Sequence, residues 1–233
     1  RPGYVSCRLS LKNIRNAANR HNATLNDFFL AAFCRALLME GGHPTDRPMI
    51  VQVPVDLRRY LSEDCNVGIC NLSGSEHLNV QLDRMDNFDA VLAKVTQFMG
   101  QIKNNYPGLA SAFALEGLSR LGFDAAMQMM QGNMEQAKKH NVSIPILTNM
   151  GSIPTESKVY GTMSAVDGYL VSPFVYAPGF MVGVSSFDDT IALTVGYSED
   201  ATGRAVAERF ACRMVQELGE EQALTFEASS FTI

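Results

Sequence analysis

The chain opens on an alternation of Val5, Cys7 and Leu9 with Ser6 and Arg8, so Tyr4 to Ser10 predicts a half-buried strand. From Leu11 the period changes to that of a helix, with Leu11, Ile14, Ala17 and Ala18 on one side and His21-Asn22 at its end. Thr24 then caps a second helix, with Asp27 three residues on as an acidic capping box. That helix carries a wide apolar stripe of Leu25, Phe28, Phe29, Ala32, Phe33, Ala36 and Leu37, which must pack on a sheet or another helix, and Gly41-Gly42 and Pro44 stop it. Met49 to Val55 reads as a strand, central at its start and peripheral at Pro54. Val67 to Leu72 reads as a further strand.

Phe88 to Asn104 has Phe88, Val91, Leu92, Val95, Phe98, Met99 and Ile102 at helical spacing, ended by Pro107. Leu109 to His140 is helix-rich, with breaks expected near Gly122 and Gly132. Its methionines, Met127, Met129, Met130 and Met134, read first as core filler and second as the lining of an adaptable pocket. The stretch Ser143 to Pro154 is a short apolar run that reaches Thr148-Asn149 and turns at Gly151. After it the chain is mostly strand: 160–166, 169–176, 180–187 and 190–197, the last two joined by Asp188-Asp189 as a hairpin. Thr202 is expected to cap a final helix with Val206, Phe210, Met214 and Leu218 on one face, ended by Gly219. The tail from Glu220 to Ile233 either packs or frays.

Composition narrows the class. With 233 residues and 46% hydrophobic content, the chain can bury a sizeable core as a single domain over 1–233. A net charge of -5, with scattered Lys and Arg, argues against a nucleic-acid footprint. No apolar run approaches the ~18 residues that span a bilayer. The start, Arg1-Pro2-Gly3, lacks an initiator Met and a signal-peptide pattern, which reads as a piece of something longer. Five widely spaced cysteines suit buried free thiols and a reducing, cytoplasmic setting. The Asn-x-Ser/Thr triplets at Asn22, Asn71 and Asn141 read as chance matches without a secretory signal.

Candidate chemistry is sparse. His21, His43, His77 and His140 all sit beside polar or turn residues, where a surface role is the default over a general base. Cys65, Cys70, His77 and His43 match no compact zinc-ligand spacing, so no metal site is expected. No nucleophile elbow, phosphate-cradling loop or dinucleotide fingerprint occurs. Asp56 and Arg58, two apart at a strand end, read as a structural ion pair. Asn149 either bonds its own turn or points into a cleft.

Several of these pieces resemble one family, in order along the chain. They are Thr24-Leu25-Asn26-Asp27, Val53-Pro54-Val55-Asp56-Leu57-Arg58, Asn66-Val67-Gly68-Ile69-Cys70-Asn71, Leu147-Thr148-Asn149-Met150-Gly151, and the hairpin from Phe180 to Tyr197. Together they resemble the C-terminal half of the condensation-domain and CoA-dependent acyltransferase superfamily. The branch they resemble holds alcohol acetyltransferases, wax ester synthases and polyketide-associated acyltransferases, alongside nonribosomal peptide condensation domains.

The resemblance implies an α/β fold: a two-layer sandwich with helices packed on a mixed β-sheet, one chloramphenicol acetyltransferase-like lobe of two. It also implies a tunnel between lobes, where a thioester of CoA or of a carrier protein meets an alcohol or amine, with no permanently bound cofactor. The family's His-His-x-x-x-Asp-Gly motif belongs to the other lobe. Here the only Asp-Gly, Asp167-Gly168, has Met163 at the position of the catalytic His, and Met cannot take a proton. By resemblance Asn149 lies near the interlobe cleft as a substrate-binding residue. Ser185 and Ser186 are candidates to place a hydroxyl toward an oxyanion, against a satisfied or solvent-facing hydroxyl. Asp56, Arg58 and Asn71 are strand-end architecture. The partners implied are an N-terminal lobe, a small acyl donor and acceptor, and a carrier protein, with self-association through the undocked face. The rival expectation is a non-catalytic lobe that binds a carrier, a partner or an apolar ligand.

Overall fold

A computed structural model describes residues 2–62, 65, 68, 70–140, 142, 144–154, 158–173, 179–199, 202–220 and 227–230. Strand β1 (Pro2–Ser10) runs into helix α1 (Leu11–Arg20), where Ser10 accepts from the Asn13 amide as N-cap. Thr24 caps α2 (Leu25–Met39) by accepting from the Asp27 amide. Next come β2 (Met49–Asp56), a 3-10 turn over Leu57–Tyr60, and β3 (Ser73–Val80). Three helices follow, α3 (Phe88–Lys103), α4 (Leu109–Ser119) and α5 (Phe123–His140). Then come β4 (Ile146–Ser152), β5 (Val159–Tyr160), β6 (Met163–Ser164), β7 (Met181–Phe187), β8 (Thr190–Ser198), α6 (Arg204–Glu217) and β9 (Glu227–Ser230).

Seven strands form one mixed sheet in the order β3-β2-β4-β7-β8-β1-β9, and β5-β6 stand apart as a small hairpin. The pairs β2–β4 and β4–β7 are parallel, while the others are antiparallel. One face of the sheet presents Val5, Cys7, Leu147, Val182, Leu193 and Val195 to α2, α3 and α6, and this is the core. Helix α2 lies at its centre, with residues 28–34 all buried. A helix so apolar on all sides needs neighbours on all sides, and α3, α6 and the sheet supply them. The buried Asp27 carboxylate at its start is paired with Lys103 at 2.9 Å.

Helix α4 is held against β2 and β3 by polar contacts. Glu76 accepts from the Gly108 amide at 2.7 Å, and the Ser75 amide donates to the Ser111 hydroxyl at 2.7 Å. The approach is close enough that a Cβ on Gly74 would lie 2.4 Å from the Gly108 carbonyl oxygen. Gly74→Ala should therefore destabilise by about 1–3 kcal/mol and loosen α4 and α5, because the obstacle is backbone. Gly100→Ala is the control, since nothing stands within 4 Å of its Cβ and an interior helical position favours Ala by about 0.5–1 kcal/mol. Urea unfolding and the rate of proteolysis within 107–140 read both effects.

The structure corrects several expectations. The strand expected over Val67 to Leu72 falls partly on Val67 and Ile69, outside the described residues. Gly68 and 70–72 are not in a strand, which starts at Ser73. This is an edge strand with one buried face, so a polar sequence suffices and no continuous apolar run is needed. The break expected at Gly132 does not occur, while Gly122, at φ +86°, does separate α4 from α5. Gly203 rather than Thr202 is the N-cap of α6. The methionines of α5 are exposed instead of buried, as no residue of α5 is buried. The tail contributes β9 beside β1.

Strands expected over 160–166 and 169–176 shrink to β5 and β6, and Tyr169 to Pro173 forms no strand; 174–178 lie outside the described residues. The reason is topological. Strands β4, β7, β8 and β1 are each flanked on both sides within the sheet, and residues 167–172 cross its free face instead.

Candidate functional site

The parallel strands β2, β4 and β7 bring their carboxyl ends to one end of the sheet, the location where open α/β sheets bind ligands. The sheet splits there. Strand β2 meets β4 at Gln52↔Ile146, where the Gln52 amide donates to the Pro145 carbonyl. Two residues on, the backbone nitrogen facing β4 belongs to Pro54, which has no proton to donate, so the ladder stops. Pro54 thus separates the ends of β2 and β4, while β3 keeps β2 paired throughout.

Three short polar side chains close the backbone at this split. Asp56 accepts from the Arg58 amide at 3.0 Å, Asn71 from the Ser73 amide at 3.1 Å, and Asn149 from the Gly151 amide at 3.1 Å. Each is the two-residue Asx turn that such side chains favour, and Gly151 supplies the positive φ of +74° at the last. Arg58 adds a 3.3 Å ion pair to Asp56 and donates to the Cys70 carbonyl at 2.9 Å. Asn149 is exposed, and among the described residues its amide nitrogen has no protein partner. Two N–H donors therefore face outward at the end of a parallel strand.

Ser186 lies at the end of β7, two residues beyond Val184, the partner of Asn149, so it shares that side chain's face of the sheet. Ser185 points to the opposite face. It is buried, and its hydroxyl accepts from the Leu170 amide at 3.0 Å. The structure therefore gathers Asp56, Arg58, Asn71, Asn149 and Ser186 at one sheet end and sets Ser185 apart.

What occupies that opposite face does not show in the sequence. Residues 167–172 cross it as a strap. Arg8 donates to Asp167 at 3.0 Å and stacks over the Tyr169 ring at 4.1 Å, while the Tyr4 and Tyr169 hydroxyls are 3.0 Å apart. Ser172 is buried over Gly183, and its hydroxyl has no partner among the described residues. The Arg8 hydrogen bond holds the Asp167 carboxyl below the usual carboxylate range, against the effect of burial. Asp167-Gly168 is thus a strap anchor tied to Arg8, and Met163 in β6 is exposed. The one available signal was Arg8 itself, a charge inside an otherwise buried strand. Ser185→Ala should remove the partner of the Leu170 amide at a cost of about 0.5–1.5 kcal/mol. Amide hydrogen exchange at Leu170 should then quicken while core amides such as Leu193 keep their rate.

No histidine belongs to the site. His21 caps α1 and meets Asp89 at 3.2 Å, His77 lies on edge strand β3, and His140 ends α5. His43 lines a cleft of about 630 Å³ with Ile50, Ile144, Phe180, Val206 and Phe210, at the sheet's other end. Burial pushes the Cys7 and Cys34 thiols up to about 12, so neither is a thiolate nucleophile near neutral pH. Among the described residues no group of three His, Cys, Asp or Glu side chains could hold a metal, and no helix is long and apolar enough to cross a membrane.

No family model and no curated protein matches the chain. Solved structures do. A trichothecene 15-O-acetyltransferase from Fusarium sporotrichioides matches with a TM-score of 0.60 at 14% identity, over 93% of this chain and 46% of the enzyme. The epimerization domain from the third module of tyrocidine synthetase B matches at 0.58 and 11%, over 93% and 47%. A wax ester synthase/diacylglycerol acyltransferase from Marinobacter aquaeolei VT8 matches at 0.53 and 15%, over 93% and 47%. At these identities the likeness is one of fold, and the chain spans about half the length of the structures it matches.

Proposed function

The chain has the fold of one chloramphenicol acetyltransferase-like lobe, and from that premise we propose that it forms one wall of an acyl-transfer tunnel. Its counterpart is a second lobe bearing the His base. The observation that carries this reading is the split sheet end: exposed, furnished with the free amide donors of Asn149, and without a histidine. Such a surface can hold a thioester carbonyl but cannot deprotonate an alcohol or amine.

In the proposed reaction the acyl donor is a thioester of CoA or of a carrier protein. Asn149 donates to the carbonyl oxygen as it gains charge, and Ser186 stands beside it with a hydroxyl. Asp56, Arg58 and Asn71 fix the strand ends that set the width of the opening. The base, from the second lobe, takes the acceptor's proton as its oxygen or nitrogen bonds to the acyl carbon and the thiol leaves. No resident cofactor is needed for that exchange. A reducing, cytoplasmic location belongs to the same proposal, supported by five cysteines that stand free.

The test is complementation. CoA release, followed by chromatography because Cys65 and Cys70 are exposed thiols, should rise about 10²–10⁴-fold when a lobe carrying the His-His-x-x-x-Asp-Gly motif is supplied. If the added lobe binds but the rate stays at background, the carrier- or ligand-binding reading takes its place.

A further inference from the structure

Helix α5 runs for 18 residues without one buried side chain. Most helical stability in proteins comes from tertiary packing of one face, and Gly132 in the interior of α5 costs about 1 kcal/mol. The helix touches the rest of the fold chiefly through α4. Yet α5 carries an apolar stripe at the spacing i, i+4, i+7, i+11: Phe123, Met127, Met130 and Met134, all between 36% and 79% exposed. That spacing is the narrow seam of a two-helix coiled coil, not the broad stripe of a helix that lies on a sheet.

The charges beside the seam identify what covers it. Asp124, Gln131 and Lys138 follow the stripe along one flank, seven residues apart. Place a second copy antiparallel, with the two-fold axis at Met130 and Gln131. Phe123 then falls near Ala137 of the copy, Met127 near Met134, and Met130 on itself. The flank pairs Asp124 with Lys138 and Lys138 with Asp124, two opposite-charge contacts from one symmetry operation. A parallel pairing sets each charge level with its own like. Across α5, Asp124 and Glu135 balance Lys138 and Lys139, so the helix lacks the basic face that would favour an anionic lipid surface.

We infer that α5 is a homodimerisation helix, which pairs antiparallel with α5 of a second copy through Phe123, Met127, Met130 and Met134 and is aligned by Asp124 and Lys138. The inference is independent of the acyl-transfer reading. The seam's methionines suit it, since flexible thioethers adapt to one another across an axis.

Sedimentation equilibrium of the chain from 1 to 100 µM tests it, with circular dichroism confirming that each variant is folded. The chain should approach the mass of two copies. Met130→Glu, which sets two carboxylates on the axis, should weaken dimerisation about tenfold or more. Asp124→Lys or Lys138→Asp alone should weaken it about fivefold, and the two together should restore it to within about twofold. A chain that is monomeric at 100 µM overturns the inference, including one that gains a partner only when a second lobe or anionic vesicles are added. A dimer indifferent to all three substitutions also overturns it, since another face is then responsible.

Discussion

Replacing Phe33 with alanine should lower the free energy of unfolding by about 3–5 kcal/mol, the largest stability loss expected from any single truncation in this protein. Phe33 is fully buried on α2, between the sheet and α6. Its ring stacks on Phe180 at 6.4 Å and meets Phe210 edge-on at 5.6 Å, while Phe180 and Phe210 are 4.7 Å apart. Truncation removes the apolar transfer term, two aromatic contacts and the filling of a space that α2 cannot close, because α3 and α6 pin it from both sides. For a chain of this size the loss corresponds to a fall in Tm of about 10 °C. Phe113→Ala, on exposed α4, serves as the comparison and should change stability by less than about 0.5 kcal/mol. Similar losses at the two positions would mean that the core is not organised around α2.

If the proposed acyl-transfer function holds, the largest effect on activity should come from Asn149→Ala, measured with a His-bearing second lobe supplied. Loss of the outward amide removes the donor proposed to meet the carbonyl oxygen, and loss of one such donor costs about 10²-fold or more in kcat. The Asx turn at Gly151 also goes, so Asn149→Asp is the needed companion. Aspartate keeps the turn acceptor but offers no N–H, so it should be as inactive as alanine if the donor matters. If aspartate restores the rate, Asn149 serves the turn alone. Ser186→Ala should be milder, since a half-buried hydroxyl at the neighbouring strand end supplements the amide.

Much of the layout was legible because local rules and tertiary demands agree there. The alternation of Val5, Cys7 and Leu9, the Thr24 cap, the apolar run of α2 and the Asp188-Asp189 hairpin each have one reading, and the fold uses it. Pro54 was legible as a peripheral position, though not as the residue that splits the sheet. That requires knowing which neighbour its nitrogen faces.

Other features depended on contacts distant in sequence. The 160–176 stretch has the composition of strands, but the place of residues 167–170 on the sheet face is set by Arg8, Tyr4 and Ser185, more than a hundred residues away in two of the three cases. The α5 methionines look alike in a core and on a docking surface, because periodicity says that a face is apolar and not what covers it. Of the candidate site, Asp56, Arg58, Asn71 and Asn149 gather at one sheet end, and Ser185 leaves the group because strand alternation turns it away.

In the proposed function this chain holds and orients an acyl group and supplies no base to transfer it. The direct measurement is acyl transfer from acyl-CoA to a panel of alcohols and amines by the chain alone, compared with a variant in which His21, His43, His77 and His140 are all replaced. With the proposed function, both proteins should stay at the uncatalysed rate. Turnover by the chain alone, whether it vanishes with the histidines or survives their loss and depends on Asn149, would contradict it.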